Sequence, residues 1–319
     1  MNLVEKKRFE SRSKLMVSGE YLVLKGALSL ALPLKYGQSL TVEEKEGKSL
    51  INWKSLINND VWFTTTLLLS DFRVLETNST ALSMTLCNIL SAAKTLHPKF
   101  LDSSMEYNVI SAMDFLPEWG IGSSSTLISN VAYWAGCDPF ELNSMIFNGS
   151  GYDIACARST SPIIYEFKNA GSAYRKANFQ PMFEQQLFFV YLNRKQSSQK
   201  SINSLDLTGI SSRETLAITA LTIGMEMAED LETFQSLMEQ HEELVGKTIR
   251  KIPVKELYFD DFKGSIKSLG AWGGDFILAA SSQPEAYVRN YFHHKELQTI
   301  FPYNEVVQTG SPVQSATRY

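Results

Sequence analysis

The chain has 319 residues, of which 44% are hydrophobic and 20% charged, values typical of a folded globular protein large enough for two lobes. Its 30 basic and 34 acidic residues give a net charge of −4, so charge provides no reason to expect a nucleic-acid partner. Three widely spaced cysteines argue against a disulfide framework or a zinc site. The longest apolar stretch, residues 27–34, is too short to span a bilayer. We therefore expect a cytoplasmic protein with no membrane partner.

Strands and helices alternate along the whole chain. The pattern predicts, in order, a strand at residues 9–17, a strand within 22–34, hairpins over 39–66, a helix at 80–96, a strand at 107–115, helices from Ser123 and from Pro139, strands at 162–167 and 187–192, helices at 212–230 and 231–252, a strand at 277–280, a helix around Tyr287 and a short strand near Val306. Residues 169–176 are polar and basic and predict a linker between two lobes. This alternation in both lobes indicates an α+β fold.

Residues 116–135 combine the features that a phosphate-binding loop requires. Gly120 and Gly122 allow positive φ and close backbone approach, and the helix from Ser123 directs its N–H groups and positive dipole end into the loop. Four hydroxyls at residues 123–126 can donate to phosphate oxygens, and one of them can bind Mg²⁺. A tight turn followed by a serine N-cap gives the same pattern, so both interpretations stand.

Four other polar segments have both a structural and a functional interpretation. Lys14, inside an apolar run, is either an edge residue with its amine in solvent or a cation facing an anion. Asp153, after a glycine turn, is either a helix cap or an active-site carboxylate. Residues 193–200 form either a solvated loop or a grip for an anionic substrate. The glycine-rich residues 268–276 indicate close approach to a ligand or to another loop.

Three segments together resemble the signature motifs of the GHMP kinase superfamily, the small-molecule kinases named for galactose, homoserine, mevalonate and phosphomevalonate. They are residues 14–21 with Gly26 and Ala27, residues 120–124, and residues 270–274, in the order found in that family. The resemblance spans essentially the whole chain. It implies an N-terminal ATP-binding lobe over residues 1–170, with a left-handed β-α-β crossover, and a C-terminal ferredoxin-like lobe over residues 171–319.

The resemblance also implies roles for individual residues. The ATP phosphates are expected to lie against Gly120, Ile121, Gly122, Ser123, Ser124 and Ser125, with Ser124 also binding Mg²⁺. Asp153 is expected to be the catalytic base or orienting group, and Lys14 its electrostatic partner, which keeps the carboxylate ionised and screens the phosphoryl group. The residues expected to contact the acceptor are Glu20, Tyr21, Lys195, Ser197, Ser198, Gly273, Gly274 and Asp275.

Two details of the sequence bear on the choice of acceptor. Asp275 after the third motif and the cluster at residues 195–200 both resemble phosphomevalonate kinases more than mevalonate kinases. We therefore predict an ATP- and Mg²⁺-dependent kinase acting on phosphomevalonate. Mevalonate kinase, a kinase for another hydroxylated acid or sugar, and a non-catalytic sensor of ATP or a metabolite are the alternatives. Glu118 and Glu141 are the nearest candidates for an acidic Mg²⁺ ligand, and we expect a monomer or homodimer.

Overall fold

Two β-sheets with helices packed on them organise the chain. The computed structural model describes residues 5–147, 149–168, 171–194, 209–270, 272 and 274–310. The larger sheet has eight strands and the smaller has four. Of the described helices, none is long and apolar enough to cross a membrane.

The larger sheet is built mainly from the first half of the chain. Its strands are β1 (Glu5–Met16), β2 (Ser29–Glu46), β3 (Leu50–Ile57), β4 (Asp60–Leu68), β5 (Val74–Thr77), β6 (Met105–Met113), β7 (Ile163–Glu166) and β8 (Ala173–Lys176). The order is β5-β4-β3-β6-β2-β7-β8, and β1 also pairs with β2. The β3–β6 pair is parallel, whereas β1–β2, β2–β6, β2–β7, β3–β4, β4–β5 and β7–β8 are antiparallel. A parallel pair needs a long crossover, and here that connection contains the first helix.

Four helices accompany this sheet: α1 (Thr80–Leu96), α2 (Ser123–Ala135), α3 (Pro139–Ile146) and α4 (Tyr152–Ala157). Helix α1 has the bounds that its apolar spacing predicts. Helix α3 begins as expected, because the Asp138 carboxylate accepts hydrogen bonds from the Phe140 and Glu141 N–H groups and Pro139 follows it. Side chains from α1 and α2 join those of the central strands in one buried cluster.

The smaller sheet has the ferredoxin-like arrangement that we expected. Its strands are β9 (Leu187–Tyr191), β10 (Ser265–Ser268), β11 (Phe276–Ala280) and β12 (Ile300–Pro302), all antiparallel in the order β10-β11-β9-β12. The helices are α5 (Ser212–Met227), α6 (Leu231–Ile249), α7 (Val254–Tyr258), α8 (Glu285–His294) and α9 (Tyr303–Val306). Helices α5 to α7 separate β9 from β10, and α8 separates β11 from β12, which gives the β-α-β-β-α-β sequence of elements.

Two sequence predictions were wrong. The segment predicted as a linker contains β8, which pairs antiparallel with β7 as an edge strand of the larger sheet. All four β8 side chains are exposed, so the segment lacks the apolar alternation by which strands are recognised. The strand predicted near Val306 is β12 instead, and Val306 lies in α9, which begins directly after Pro302. The division of the chain at residue 170 stays a prediction.

One apolar cluster joins the two sheets. It contains Leu32 and Phe115 from the first half of the chain and Phe189, Phe276 and Tyr303 from the second half, all at most 2% exposed. The two halves therefore share a core, and the loops at the ends of β1, β6 and β10 meet around one region of the molecule.

Candidate active site

The loop between β6 and α2 is suited to binding an anion. Gly120 and Gly122 have φ of +67° and +107°, in the region that favours glycine, and Gly122 is the N-cap of α2. A Cβ at Gly122 would lie 2.9 Å from the Ser125 Oγ and 3.3 Å from the Lys14 Cε. No described side chain caps α2, so the first-turn N–H groups and the positive end of the helix dipole can serve a ligand.

The other predicted residues of this loop contribute in different ways. Ile121 is 1% exposed and presents only its backbone, because its carbonyl accepts a hydrogen bond from the Lys14 N–H at 2.8 Å. Ser125 is buried and its hydroxyl donates to the Gly122 carbonyl at 2.9 Å. The Ser124 side chain is exposed and Ser123 is half-buried. The hydroxyls of Ser123 and Ser124 are therefore the ones that solvent reaches.

Lys14 and Asp153 form an ion pair next to this loop. The Lys14 Nζ lies 3.1 Å from Asp153 Oδ1 and 3.4 Å from the Gly120 carbonyl oxygen. The Lys14 side chain is 9% exposed, so this lysine is not an edge residue with its amine in solvent. Burial alone would lower the pKa of Lys14, but the Asp153 carboxylate and the Tyr152 hydroxyl outweigh burial and raise it. The amine therefore stays charged beside the carboxylate.

Asp153 is held in place by the turn that precedes α4. Gly151, with φ of +81°, is the N-cap of this helix, so Asp153 is not the cap but the second helical residue. A Cβ at Gly151 would meet the Phe140 ring at 3.3 Å and the Tyr165 hydroxyl at 3.4 Å. The Asp153 side chain is 33% exposed, which leaves it accessible to a small molecule.

A cavity of about 80 Å³ lies next to this ion pair and is lined in part by Asp153. Met16, Val23 and Leu24 form an aliphatic wall, and the Tyr21 and Tyr152 rings complete it. Asp153 and Ser150 supply polar atoms, and the buried Glu20 also lines the cavity. Gly270, the first residue of the third motif, also lines the cavity. A small molecule in the cavity would thus contact Asp153 while its carbon skeleton packs on the aliphatic wall.

Asp275 lies against the glycine loop between β6 and α2. A Cβ at Gly120 would lie 2.5 to 2.7 Å from the carboxyl atoms of Asp275. Asp275 itself has φ of +54°, and its N–H donates to the Arg194 carbonyl at 2.6 Å. Its carboxylate is therefore adjacent to the loop at Gly120 and is not among the described residues that line the cavity. Gly274 is buried beside it.

Glu20 and Tyr21 are both buried, and their side chains bind to the second half of the chain. The Glu20 Oε1 lies 2.5 Å from the Lys267 Nζ, and the Tyr21 hydroxyl accepts a hydrogen bond from the Trp272 N–H at 3.1 Å. Lys267 is fully buried and also lies 3.5 Å from Glu242. Burial raises the pKa of Glu20 although Lys267 opposes this, and burial raises the pKa of Glu242 to about 7.

The sequence reasoning missed Lys267, Glu242 and the neighbouring His241. Two signals were present. Glu242 stands four residues after Met238 on the buried stripe of α6, where an apolar residue is expected, and Lys267 lies in a four-residue strand whose residues are all buried. Four predicted residues, Lys195, Ser197, Ser198 and Gly273, lie outside the described residues.

Neither a protein-family model nor a curated protein matches the sequence. Solved structures do match. Mevalonate kinase from Methanococcus jannaschii superimposes with a TM-score of 0.66 at 17% identity over 95% of this chain and 98% of that protein. Streptococcus pneumoniae phosphomevalonate kinase, in complex with phosphomevalonate and AMPPNP, gives 0.67 at 15% identity over 92% and 99%. Lactococcus lactis galactokinase, complexed with galactose, gives 0.68 at 12% identity over 98% and 95%.

The chain has the GHMP kinase fold. The match covers nearly the full length of each chain, so the predicted α+β architecture in two lobes is confirmed. Within this GHMP kinase fold, the three motifs predicted from the sequence lie around one region: the first contributes Lys14, the second the anion-binding loop, and the third Gly270 and Asp275.

The residues present fit a nucleoside triphosphate at the loop between β6 and α2. A Cβ at Gly120 or Gly122 would fill space against neighbouring atoms, and α2 has an uncapped N-terminus. No group of three or more His, Cys, Asp or Glu side chains in the described part of the chain could hold a metal ion. Mg²⁺ in nucleotide sites is commonly bound by one or two protein groups plus the phosphates. The exposed Ser124 hydroxyl and one carboxylate would therefore be enough to hold Mg²⁺ here.

Proposed function

We propose that the chain is an ATP- and Mg²⁺-dependent kinase that phosphorylates a small acceptor of the mevalonate pathway. The observation that carries this proposal is the Lys14–Asp153 ion pair, in which Lys14 contacts the glycine loop between β6 and α2 and Asp153 lines a largely apolar cavity. A protein that only binds a nucleotide needs the loop. It does not need a buried cation and a carboxylate directed at a second cavity.

The chemistry assigns a role to each part. The acceptor oxygen attacks the γ-phosphorus of ATP, the bond from that phosphorus to the β-phosphate oxygen breaks, and ADP leaves. Where the acceptor atom is a hydroxyl oxygen, Asp153 accepts or orients its proton, and Lys14 pairs with Asp153 and faces the transferred phosphoryl group. Where the acceptor atom is a phosphate oxygen, as in phosphomevalonate, that oxygen is already ionised near neutral pH and Asp153 has the orienting role. The backbone of Gly120 to Gly122 and the first turn of α2 bind the phosphates. Ser124 would bind Mg²⁺, which neutralises charge on the phosphates when bound.

Phosphomevalonate and mevalonate are the two acceptors that we consider first. The likeness to phosphomevalonate kinases at Asp275 and residues 195–200 favours the first. The described residues that line the cavity include no lysine, arginine or histidine, so a phosphorylated acceptor would depend on the cluster at Lys195 for its cations. Asp275, which lies against Gly120, belongs with the nucleotide side of the site. Mevalonate, whose branched carbon skeleton suits the aliphatic wall, is the second candidate.

The test is ADP release by the purified protein with ATP and Mg²⁺ against mevalonate, phosphomevalonate, homoserine and galactose in parallel. Turnover with phosphomevalonate alone supports the proposal with its favoured acceptor. Turnover with mevalonate alone supports the proposed kinase activity and shows that the acceptor is mevalonate and not phosphomevalonate. If none of the four is phosphorylated although calorimetry detects ATP binding, the assignment to the mevalonate pathway is wrong.

A further inference from the structure

A cluster of buried charged and polar side chains adjoins the acceptor cavity at Glu20. Lys267 of β10, at 0% exposure, has its Nζ 2.5 Å from Glu20, 3.5 Å from Glu242 and 3.0 Å from the Ser268 carbonyl oxygen. The Ser268 hydroxyl donates to Glu242 at 3.1 Å. Three separate elements, the loop after β1, helix α6 and strand β10, therefore meet at one amine.

Such a cluster is a poor source of stability. Removing two carboxylates and an amine from water is costly, and apolar side chains of similar volume often stabilise a protein as well or better. The Glu20 Oε2 and the His241 Nδ1 are buried with no hydrogen-bond partner among the described residues, which adds to that cost. A role other than stability would explain why these groups are present.

The residue next to Glu20 has a strained backbone. Tyr21 has φ of +62° and ψ of −46°, and the Leu22 N–H donates to the Glu20 carbonyl at 2.6 Å. This is the rare three-residue turn with positive φ at its centre, which a residue with a side chain adopts only at a cost. Conformations of this kind persist where surrounding contacts enforce them, and they are concentrated at ligand-binding sites.

The contacts that enforce this turn come from the second half of the chain. The Gly19 N–H donates to the His241 Nε2 at 3.0 Å, the Glu20 carboxylate accepts from Lys267, and the Tyr21 hydroxyl accepts from the Trp272 N–H at 3.1 Å. Glu20 and Tyr21 both line the acceptor cavity, as Asp153 does. The turn thus connects the cavity to β10 and to the third motif.

We propose that Lys267 is a positioning residue: through its bond to Glu20 it holds the turn at Tyr21, and this turn sets the wall of the cavity against which the acceptor binds. The inference rests on the proposed kinase function for the identity of the cavity's occupant. It gives Glu20 a different part from the acceptor contact expected from the resemblance, because the Glu20 carboxylate is directed at Lys267.

The kinetic test uses Lys267→Met, which keeps an unbranched side chain and removes the charge. Misplacing a binding group by about 1 Å can cost about 100-fold, so we expect kcat/KM for the acceptor to fall by about 100-fold while KM for ATP is unchanged. In Glu20→Gln the amide oxygen can still accept from Lys267, and we expect Tyr21 to keep its positive φ in a crystal structure of this variant. An equal loss for acceptor and ATP in Lys267→Met would overturn the inference.

Two further variants distinguish a displaced Tyr21 turn from a general loss of stability. In Glu20→Gln/Lys267→Met neither of these two side chains is charged, and the loss of Lys267 raises the pKa of Glu242 further, so that carboxyl is neutral. We expect the double variant to fold while its kcat/KM for the acceptor stays as low as in Lys267→Met. Arg175→Met is the matched control. It removes a cation that bonds the buried Glu226 carboxylate at 2.6 and 2.8 Å on β8, away from the cavity. If Arg175→Met raises the acceptor KM as much as Lys267→Met does, the effect is one of stability and the inference fails.

A crystal structure of Lys267→Met tests the same inference without any turnover. We expect Tyr21 to leave positive φ and its hydroxyl to lose the Trp272 N–H. A Tyr21 that keeps φ near +62° in the variant overturns the positioning role, whatever the kinetics. If the wild-type protein phosphorylates none of the acceptors, the proposed function fails by itself, and the φ of Tyr21 still decides this inference.

Discussion

At the scale of single residues, the site depends on two carboxyl groups in contrasting surroundings. Asp153 is one-third exposed and has a single lysine beside it, so it can reach a substrate. Glu242 is 3% exposed and shares a buried lysine with Glu20, so it cannot. We therefore propose reactivity for this pair of residue types, Lys with an acid, in one place and geometry in the other.

Asp153→Asn tests the reactive carboxylate. We expect kcat to fall by about 10²- to 10⁴-fold, because the amide can neither accept the acceptor's proton nor pair with Lys14 as a charge. The affinity for ATP, measured by calorimetry, should be retained, since Asp153 is not part of the anion-binding loop. Asp138→Asn is the matched control, because asparagine caps a helix as well as aspartate does. Near wild-type turnover in Asp153→Asn would show that this residue is not the base.

Glu242→Gln tests the buried carboxylate through the pH dependence of stability. Burial raises the pKa of Glu242 from 4.5 to about 7, while Lys267 of β10 lowers it and Glu20 raises it. Between these values the Glu242 carboxyl binds more protons in the folded protein than in the unfolded chain, so its contribution to the free energy of unfolding decreases as pH rises from 4.5 to 7. That decrease is about 3 kcal/mol. The glutamine does not titrate, and we expect the variant to lack this contribution while those of Glu20 and His241 remain.

The measurement is urea denaturation at several pH values between 4.5 and 8. Glu243→Gln is the control: its side chain is on the same helix but 65% exposed beside Lys247, and its removal should leave the pH dependence in place. The adjacent His241 contributes with the opposite sign: burial and Lys267 keep its pKa well below 6.5 in the folded protein, so below pH 6.5 only the unfolded chain binds this proton and the free energy of unfolding rises with pH. The effect of Glu242 is therefore measured as the difference between wild type and Glu242→Gln. If Glu242→Gln shows the same slope as the wild type, Glu242 does not titrate near pH 7.

At the scale of elements, the junction of β6 and α2 combines two glycines of positive φ with the proposed phosphate site. Gly122→Ala puts a Cβ at φ of +107°, 2.9 Å from the Ser125 Oγ. We expect this strain to cost about 1–3 kcal/mol of stability. The dissociation constant for ATP should rise at least about tenfold as the loop shifts. Gly209→Ala is the control, since a Cβ there meets nothing within 4 Å. Unchanged ATP binding in Gly122→Ala would exclude this loop as the phosphate site.

The elements differ in how far the sequence predicts them. Helix α1 was predicted with its observed ends because its apolar spacing is regular and the chain turns at His97-Pro98. The exposed edge strand β8 has no such pattern, and its pairing with β7 comes from backbone hydrogen bonds that any sequence can form. The buried cluster around Lys267 is even harder to predict from the sequence. Glu20 and Lys267 are 247 positions apart, and nothing local to either residue indicates its partner.

The Lys14–Asp153 ion pair can be predicted from the sequence only in part. Lys14 and Asp153 each had a structural interpretation that local pattern could not exclude, and only the tertiary fold brings their side chains within 3.1 Å. The motifs that resemble a known family supplied that long-range information in advance. The acceptor remains a prediction because the cluster at residues 195–200 lies outside the described residues.

At the scale of the whole molecule, the two sheets share a core, and this predicts how the protein unfolds. Phe234 of α6 is fully buried in the shared cluster, and its ring packs on Phe179 and Phe183. Replacing it by alanine should lower the free energy of unfolding by about 3–5 kcal/mol. We expect one cooperative transition in both wild type and Phe234→Ala, with coincident curves from far-UV circular dichroism and tryptophan fluorescence. Two separate transitions would mean that the sheets fold independently.

The ends of the larger sheet have a consequence for the behaviour of the protein in concentrated solution. An unpaired strand edge is a template on which a second chain can add, and long apolar edges lead to aggregation. At two of its edges the strands, β5 and β8, are four residues each, and β8 carries Arg175 and Lys176 at exposed positions. At these two edges an incoming strand would find few backbone groups to pair with, and at β8 it would meet basic side chains. Removing β8 would therefore expose β7, whose first three residues are buried, and convert a protected boundary into a surface prone to self-association.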